Sequence, residues 1–73
     1  MPMPEMIPVN SSNIAAIGYD QASQEVYVRF LNGSLYVYRG VPEFLFEEFK
    51  VASSYGSFLH RNFKNVYSYE RLE

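Results

Sequence analysis

The chain has no cysteine and no tryptophan, a single histidine, and no apolar run that approaches the roughly 20 residues a membrane-spanning helix needs. Without cysteine there is no disulfide framework and no thiolate-held zinc or iron–sulfur centre. With His60 as the only imidazole, a nucleophile–base pair has to pass through that one residue. Charge is sparse as well. Only 19% of residues are charged and the net charge is −2, so the chain as a whole is not a polycation that coats nucleic acid. Seventy-three residues suffice for one domain. A domain of this size buries only about 60% of its unfolded surface, so its core is thin. What the chain has in quantity is aromatic surface. Seven Tyr and six Phe make up 18% of it, and each ring removes a large area from water.

The opening Met1-Pro2-Met3-Pro4-Glu5-Met6 has neither a basic stretch nor an apolar stretch of the kind a secretory signal needs. The expectation is a cytoplasmic protein with no membrane segment. Pro2, Pro4 and Pro8 remove backbone donors and fix φ, so residues 1–10 read as an extended, flexible leader. A single domain then spans residues 11–69, and residues 70–73 form a tail. Charge is unevenly placed. Glu5, Asp20, Glu25, Glu43, Glu47 and Glu48 against Arg29 and Arg39 leave −4 on residues 1–48. Lys50, Arg61, Lys64 and Arg71 against Glu70 and Glu73 leave +2 on the remainder, so a polyanion would meet the C-terminal third.

Ser12 to Tyr19 reads as a first strand, closed by the turn-like Asp20 to Gln24. Glu25-Val26-Tyr27-Val28-Arg29-Phe30 alternates at period two and is a second strand. Asn32-Gly33 then predicts a two-residue type I′ hairpin, because both residues tolerate positive φ. Ser34 to Arg39 returns as the third strand. In that register Phe30 faces Leu35, Val28 faces Val37, and Tyr27 faces Tyr38. Val26, Val28, Phe30, Leu35 and Val37 then form the core side, and Tyr27, Arg29, Tyr36 and Tyr38 the opposite side. Val41-Pro42 opens a helix, with Val41, Leu45, Phe49 and Ala52 on its buried stripe and Phe44 and Phe46 half-buried beside it. Ser53 to Ser57 is a break, with Gly56 past the first helix and Ser54 or Ser57 available to cap a second, over Phe58 to about Lys64. The fold class is α+β: a three-stranded antiparallel meander in the order β-β-β-α-α, with two helices packed on one face.

The inventory for catalysis is thin. Ser54, His60 and Asp20 have no spacing that assembles a triad, and His60 reads as a solvated residue on the polar side of the second helix. Glu43 and Glu47 stack at i, i+4 near a helix start, without a second ligand cluster to complete a metal site. No phosphate-binding glycine loop or zinc-protease motif occurs. The expectation is a non-enzyme with no catalytic residue, no metal and no cofactor.

The informative feature is the sheet side carrying Tyr27, Arg29, Tyr36 and Tyr38. An aromatic sheet face with helices behind it is one way small domains stack unpaired bases, and Arg29 can stack or bind phosphate. Arg61 and Lys64 on the second helix extend this candidate surface for RNA, tRNA or another single strand. Two other readings of the same tyrosines stay open. Cross-strand Tyr–Tyr and Arg–Tyr pairs stabilise a sheet on their own account, and the face also suits a protein partner or a second copy of the chain.

Ser12-x-Ile14, Ile17-Gly18-Tyr19-Asp20, Val26-x-Val28-x-Phe30, Gly33, Tyr36-x-Tyr38, Val41-Pro42, Ala52-x-Ser54-x-Gly56 and Tyr67 occur in an order that resembles the KTSC domain. That small domain is found at the C-terminus of some lysyl-tRNA synthetases and alone as short bacterial proteins. The resemblance covers about residues 11–69. It implies a domain of unassigned function for which RNA binding is proposed from the association with synthetases, and it carries over no catalytic residue. Phe46 and Phe63 stand where the family pattern has Tyr and Ile, an exchange of one apolar or aromatic group for another.

Overall fold

The turn after the second strand decides how the sheet is built. In the computed structural model, which describes residues 3–73, Asn32 does not have the positive φ that a type I′ turn requires, whereas Gly33 lies at φ 94°. The connection is a three-residue loop, Leu31-Asn32-Gly33. The Phe30 N–H donates to the Ser34 carbonyl and the Gly33 N–H to the Phe30 carbonyl, both at 2.9 Å. Asn32 Oδ1 accepts from the Ser34 N–H at 2.9 Å, the local side-chain bond that makes asparagine a turn former. Only glycine adopts the left-handed loop position without strain.

One extra loop residue slips the pairing by one. Strand β3 (Glu25–Phe30) and strand β4 (Leu35–Arg39) pair Arg29 with Leu35, Val28 with Tyr36, Tyr27 with Val37 and Val26 with Tyr38. A slip of one residue turns every β4 side chain over. This corrects the expected faces: Tyr36 and Tyr38 lie on the same side as Val26, Val28 and Phe30, and Leu35 and Val37 lie with Tyr27 and Arg29.

The sheet has five strands rather than three, all antiparallel, in the order β1-β2-β3-β4-β5. Within the expected leader, β1 (Ile7–Pro8) pairs with β2 (Ile14–Asp20). At the other edge, β5 (Tyr69–Arg71) pairs Tyr69 with Tyr38 and Arg71 with Tyr36. Strand β2 carries a register shift between Ile14 and Ala16. The shift lets Ile14 and Ile17, three residues apart, share one face, where both are fully buried.

The helices α1 (Glu43–Lys50) and α2 (Tyr55–Asn62) cover that face. Pro42 stands just before α1, and Ser54 caps α2 by accepting from the Ser57 N–H at 3.3 Å. Helix α2 begins earlier than the sequence predicts, and Gly56 lies inside it rather than beyond α1. Ile17, Val26 and Val28 from the sheet meet Phe46, Phe49 and Phe63 from the helical layer. Phe49 and Phe63 are fully buried, each stabilising the fold by roughly 1.5–3 kcal/mol. Phe46 is buried and stacks on Tyr19 at 5.1 Å, whereas Phe44 is exposed. The Tyr19 hydroxyl donates to the Val41 carbonyl at 2.6 Å and pins the approach to α1.

The opposite side of the sheet is also partly covered. A Cβ on Gly18 would meet Met6 Sδ at 2.7 Å and the Glu5 carbonyl at 2.8 Å, so residues 4–6 cross the sheet directly over this glycine. Leu35 and Val37, each 1% exposed, lie among Tyr27, Arg29 and a lattice of ion pairs that spans β3, β4 and the C-terminal segment.

Candidate binding groove

Between α2 and the β3-β4-β5 edge of the sheet runs a groove of about 460 Å³, within the roughly 300–1,000 Å³ range of small-molecule sites. Its floor is aromatic: Phe30 from β3, Tyr36 and Tyr38 from β4, and Tyr69 from β5. The same register that moves Tyr36 and Tyr38 to the helix side makes this floor. Phe30 meets Tyr36 edge-on at 5.4 Å, Tyr36 stacks on Tyr69 at 5.8 Å, and Tyr69 meets Tyr38 at 5.7 Å. Tyr38 stacks in turn on Phe63 of the core at 5.7 Å. Tyr38 is 5% exposed, Tyr36 half-buried and Tyr69 exposed.

Helix α2 forms the wall with Leu59 and His60, and Lys64 lies just beyond it. His60 and Lys64 are four residues apart and share a side. Asn13 and Asn65 supply neutral amides, and no carboxylate lines the groove. Lys64 makes no ion pair among the described residues, in contrast to Lys50, Arg29 and Arg39.

The hydroxyls of Tyr19, Tyr27 and Tyr55 are hydrogen-bonded within the chain. Those of Tyr36, Tyr38 and Tyr69 have no such partner among the described residues. No buried side-chain oxygen or nitrogen is left unsatisfied there, so the Tyr38 hydroxyl reaches solvent although its ring is buried. Burial raises the Tyr38 pKa above the ordinary tyrosine value, and the neighbouring Tyr36 and Tyr69 hydroxyls raise it further.

The other expected site residues lie elsewhere. Tyr27 and Arg29 are on the far side of the sheet. The Tyr27 hydroxyl donates to Glu25 Oε1 at 3.3 Å, and burial followed by the Glu25 charge raises its pKa. Arg29 Nη1 donates to the Gly33 carbonyl at 2.8 Å and to Glu73 Oε1 at 2.6 Å. Arg61, one helical step from His60, lines a separate depression with Ser53, Ser54 and Ser57 at the start of α2. Of the six residues singled out from sequence, Tyr36, Tyr38 and Lys64 come together. Phe30, His60 and Tyr69 join them unannounced. For Tyr69 a signal was present, since Tyr67-x-Tyr69-x-Arg71 alternates as a strand does.

The carboxylates considered for catalysis or metal binding are otherwise engaged. Asp20 Oδ1 accepts from the Ala22 N–H at 3.1 Å, Glu43 accepts from Gln21 Nε2 at 3.2 Å, and Glu47 pairs with Lys50 at 3.0 Å. Among the described residues no three His, Asp or Glu side chains gather.

A family model of the KTSC domain matches residues 10–67. A protein from Tsukamurella paurometabola is 44% identical over 55 residues, spanning 75% of this chain and 82% of its own length. An uncharacterised protein from Stutzerimonas stutzeri is 32% identical over 68 residues, 92% of this chain and 96% of its own. The crystal structure of a KTSC domain protein from Yersinia pestis superposes with a TM-score of 0.88 at 33% identity, covering 94% of this chain and 97% of that one.

Proposed function

The chain belongs to the KTSC domain family, and on that premise we propose that it is a cytoplasmic, non-catalytic binding module that holds unpaired RNA in the tyrosine groove. The observation that carries this reading is the composition of the lining: an aromatic floor, Lys64 and His60 on one wall, and no carboxylate. A single strand presents flat bases and phosphates together, and such a lining suits both. Tyr27, Arg29 and Arg61 are left out of the site because they face other surfaces. No helix among the described residues is long and apolar enough to cross a membrane.

The net charge of −2 means that attraction is local, so binding is weak. One stacked base contributes about 1–3 kcal/mol, and each neutralised phosphate on a single strand adds about 0.7 to the slope of log affinity against log salt. The test is a chemical-shift titration with short single-stranded RNA at several salt concentrations. Shifts centred on Phe30, Tyr36, Lys64 and Tyr69 are expected, and Lys64→Ala flattens the salt slope by about one phosphate contact. A groove that stays silent at millimolar RNA ends the proposal. Salt-insensitive self-association through the same residues would transfer the site to a protein contact.

A further inference from the structure

We propose that the polar part of this groove is a phosphate seat, formed by the hydroxyl edges of Tyr36, Tyr38 and Tyr69 with the Lys64 ammonium, and that Tyr36 and Tyr38 do not act as a base-stacking platform, which leaves the exposed Tyr69 ring for a base. The inference rests on the reading of the groove as an RNA site and names the part of the strand that it takes.

The ring faces of Tyr36 and Tyr38 are largely taken within the protein, whereas Tyr69 is 57% exposed. Tyr38 is stacked on Phe63 at 30° between planes and tilted against Tyr69 at 35°. Tyr36 stacks on Tyr69 at 29° and receives Phe30 at 83°. What Tyr38 shows to a ligand is its edge, as its 5% exposure requires. That edge ends in a hydroxyl without a partner among the described residues, and Tyr36 and Tyr69 add two more.

Each remaining polar group of the lining has a donor to offer, an amide nitrogen on Asn13 and Asn65 and a ring N–H on His60. Ser11 Oγ accepts from the Asn13 and Ile14 N–H groups, both at 3.3 Å, so its proton goes to Asn13 Oδ1 at 3.1 Å. That bond turns Asn13 Nδ2, a donor, away from Ser11. Lys64 supplies three donors and a charge that makes no ion pair among the described residues. A lining of hydroxyls, amide and ammonium without a carboxylate matches a group that only accepts hydrogen bonds and carries negative charge. A phosphate is that group, whether as an internucleotide diester or a terminal monoester.

Tyr→Phe substitution separates the two roles, because it keeps the ring and deletes the donor. Wild type, Tyr36→Phe/Tyr38→Phe and Lys64→Met are titrated by NMR with inorganic phosphate, adenosine, and a single-stranded tetranucleotide with and without a 5′-phosphate. Thermal melts check the fold. The expected result is that inorganic phosphate shifts the Tyr36, Tyr38 and Lys64 amides of wild type and adenosine does not. The double Phe variant should lose about tenfold in tetranucleotide affinity while melting as wild type does. Lys64→Met, at an exposed position, should weaken phosphate binding alike. A gain from the 5′-phosphate assigns the seat to a monoester, and equal binding without it assigns the seat to the internucleotide diester. RNA binding that survives in the double Phe variant, with phosphate silent, overturns the seat and leaves the RNA reading standing. Phosphate binding that the double variant loses, with RNA silent, does the reverse.

Discussion

Leu35 and Tyr36 are neighbours on β4 that point to opposite sides of the sheet, and the two sides tolerate change differently. Leu35 is 1% exposed, so Leu35→Asp places a carboxylate in a dry site opposite Arg29, whose guanidinium is already paired with Glu73. It is expected to cost more than about 4 kcal/mol and to abolish the cooperative melt. Tyr36 is half-buried, and its hydroxyl makes no hydrogen bond among the described residues. Tyr36→Ser loses ring contacts with Phe30 and Tyr69, worth about 1–2 kcal/mol, and leaves a folded protein. Thermal denaturation of the two variants side by side checks both. His60→Ala removes an exposed side chain and should change stability by no more than about 0.5 kcal/mol.

The two short strands at the sheet edges depend on contacts from outside the central meander. Residues 4–6 lie so close over Gly18 that a β-carbon there would press on the Glu5 carbonyl, which cannot rotate away as a side chain can. Gly18→Val should therefore displace this segment, exposing its amides to rapid hydrogen exchange while β3 and β4 stay protected. Unchanged protection of residues 5–7 would contradict the close approach. At the other edge, β5 is held by its pairing with β4, by Tyr69 on the tyrosine floor, and by Arg39–Glu70 and Arg29–Glu73. These ion pairs are exposed, and exposed pairs contribute about 0.2–1 kcal/mol each. Glu70→Gln should thus be nearly silent in a melt, whereas Tyr69→Ser should loosen β5 and lower stability by about 1–2 kcal/mol.

The molecule as a whole should be sensitive to alkali. Tyr19, Tyr27 and Tyr38 all have pKa values raised in the fold, in each case first by burial. The unfolded chain then loses these protons at about pH 10, before the folded chain does. Between the two values the folded state binds more protons, so stability falls as pH rises. The tyrosine contribution is fully present below about pH 10 and is lost progressively as pH climbs through the raised folded values. Melts at a series of alkaline pH values are expected to show this decline, with a shallower slope in Tyr38→Phe. A flat melting temperature through that range would mean that the tyrosines ionise alike in both states.

Much of this architecture is local and was legible in the residues alone. The period-two pattern of Glu25 to Phe30 marks β3 to the residue, Pro42 marks the start of α1, and Ser54 is one of the two serines that the sequence offers as a cap for α2. The ordered set of short motifs points to the family. The placement of the tyrosines is another matter, because both sides of β4 are able to be buried: Leu35 and Val37 on one, Tyr36 and Tyr38 on the other. Alternation shows that the sides differ and not which one meets the helices. Asn-Gly serves a two-residue or a three-residue loop, and one residue of loop length exchanges the faces. Contacts distant in the chain break that tie. Phe63 stacks on Tyr38 and Tyr69 packs tilted against it, and the C-terminal segment and its ion pairs close over the side of Leu35. The groove, made by a helix, a hairpin and an edge strand together, exists only once those distant pieces have met.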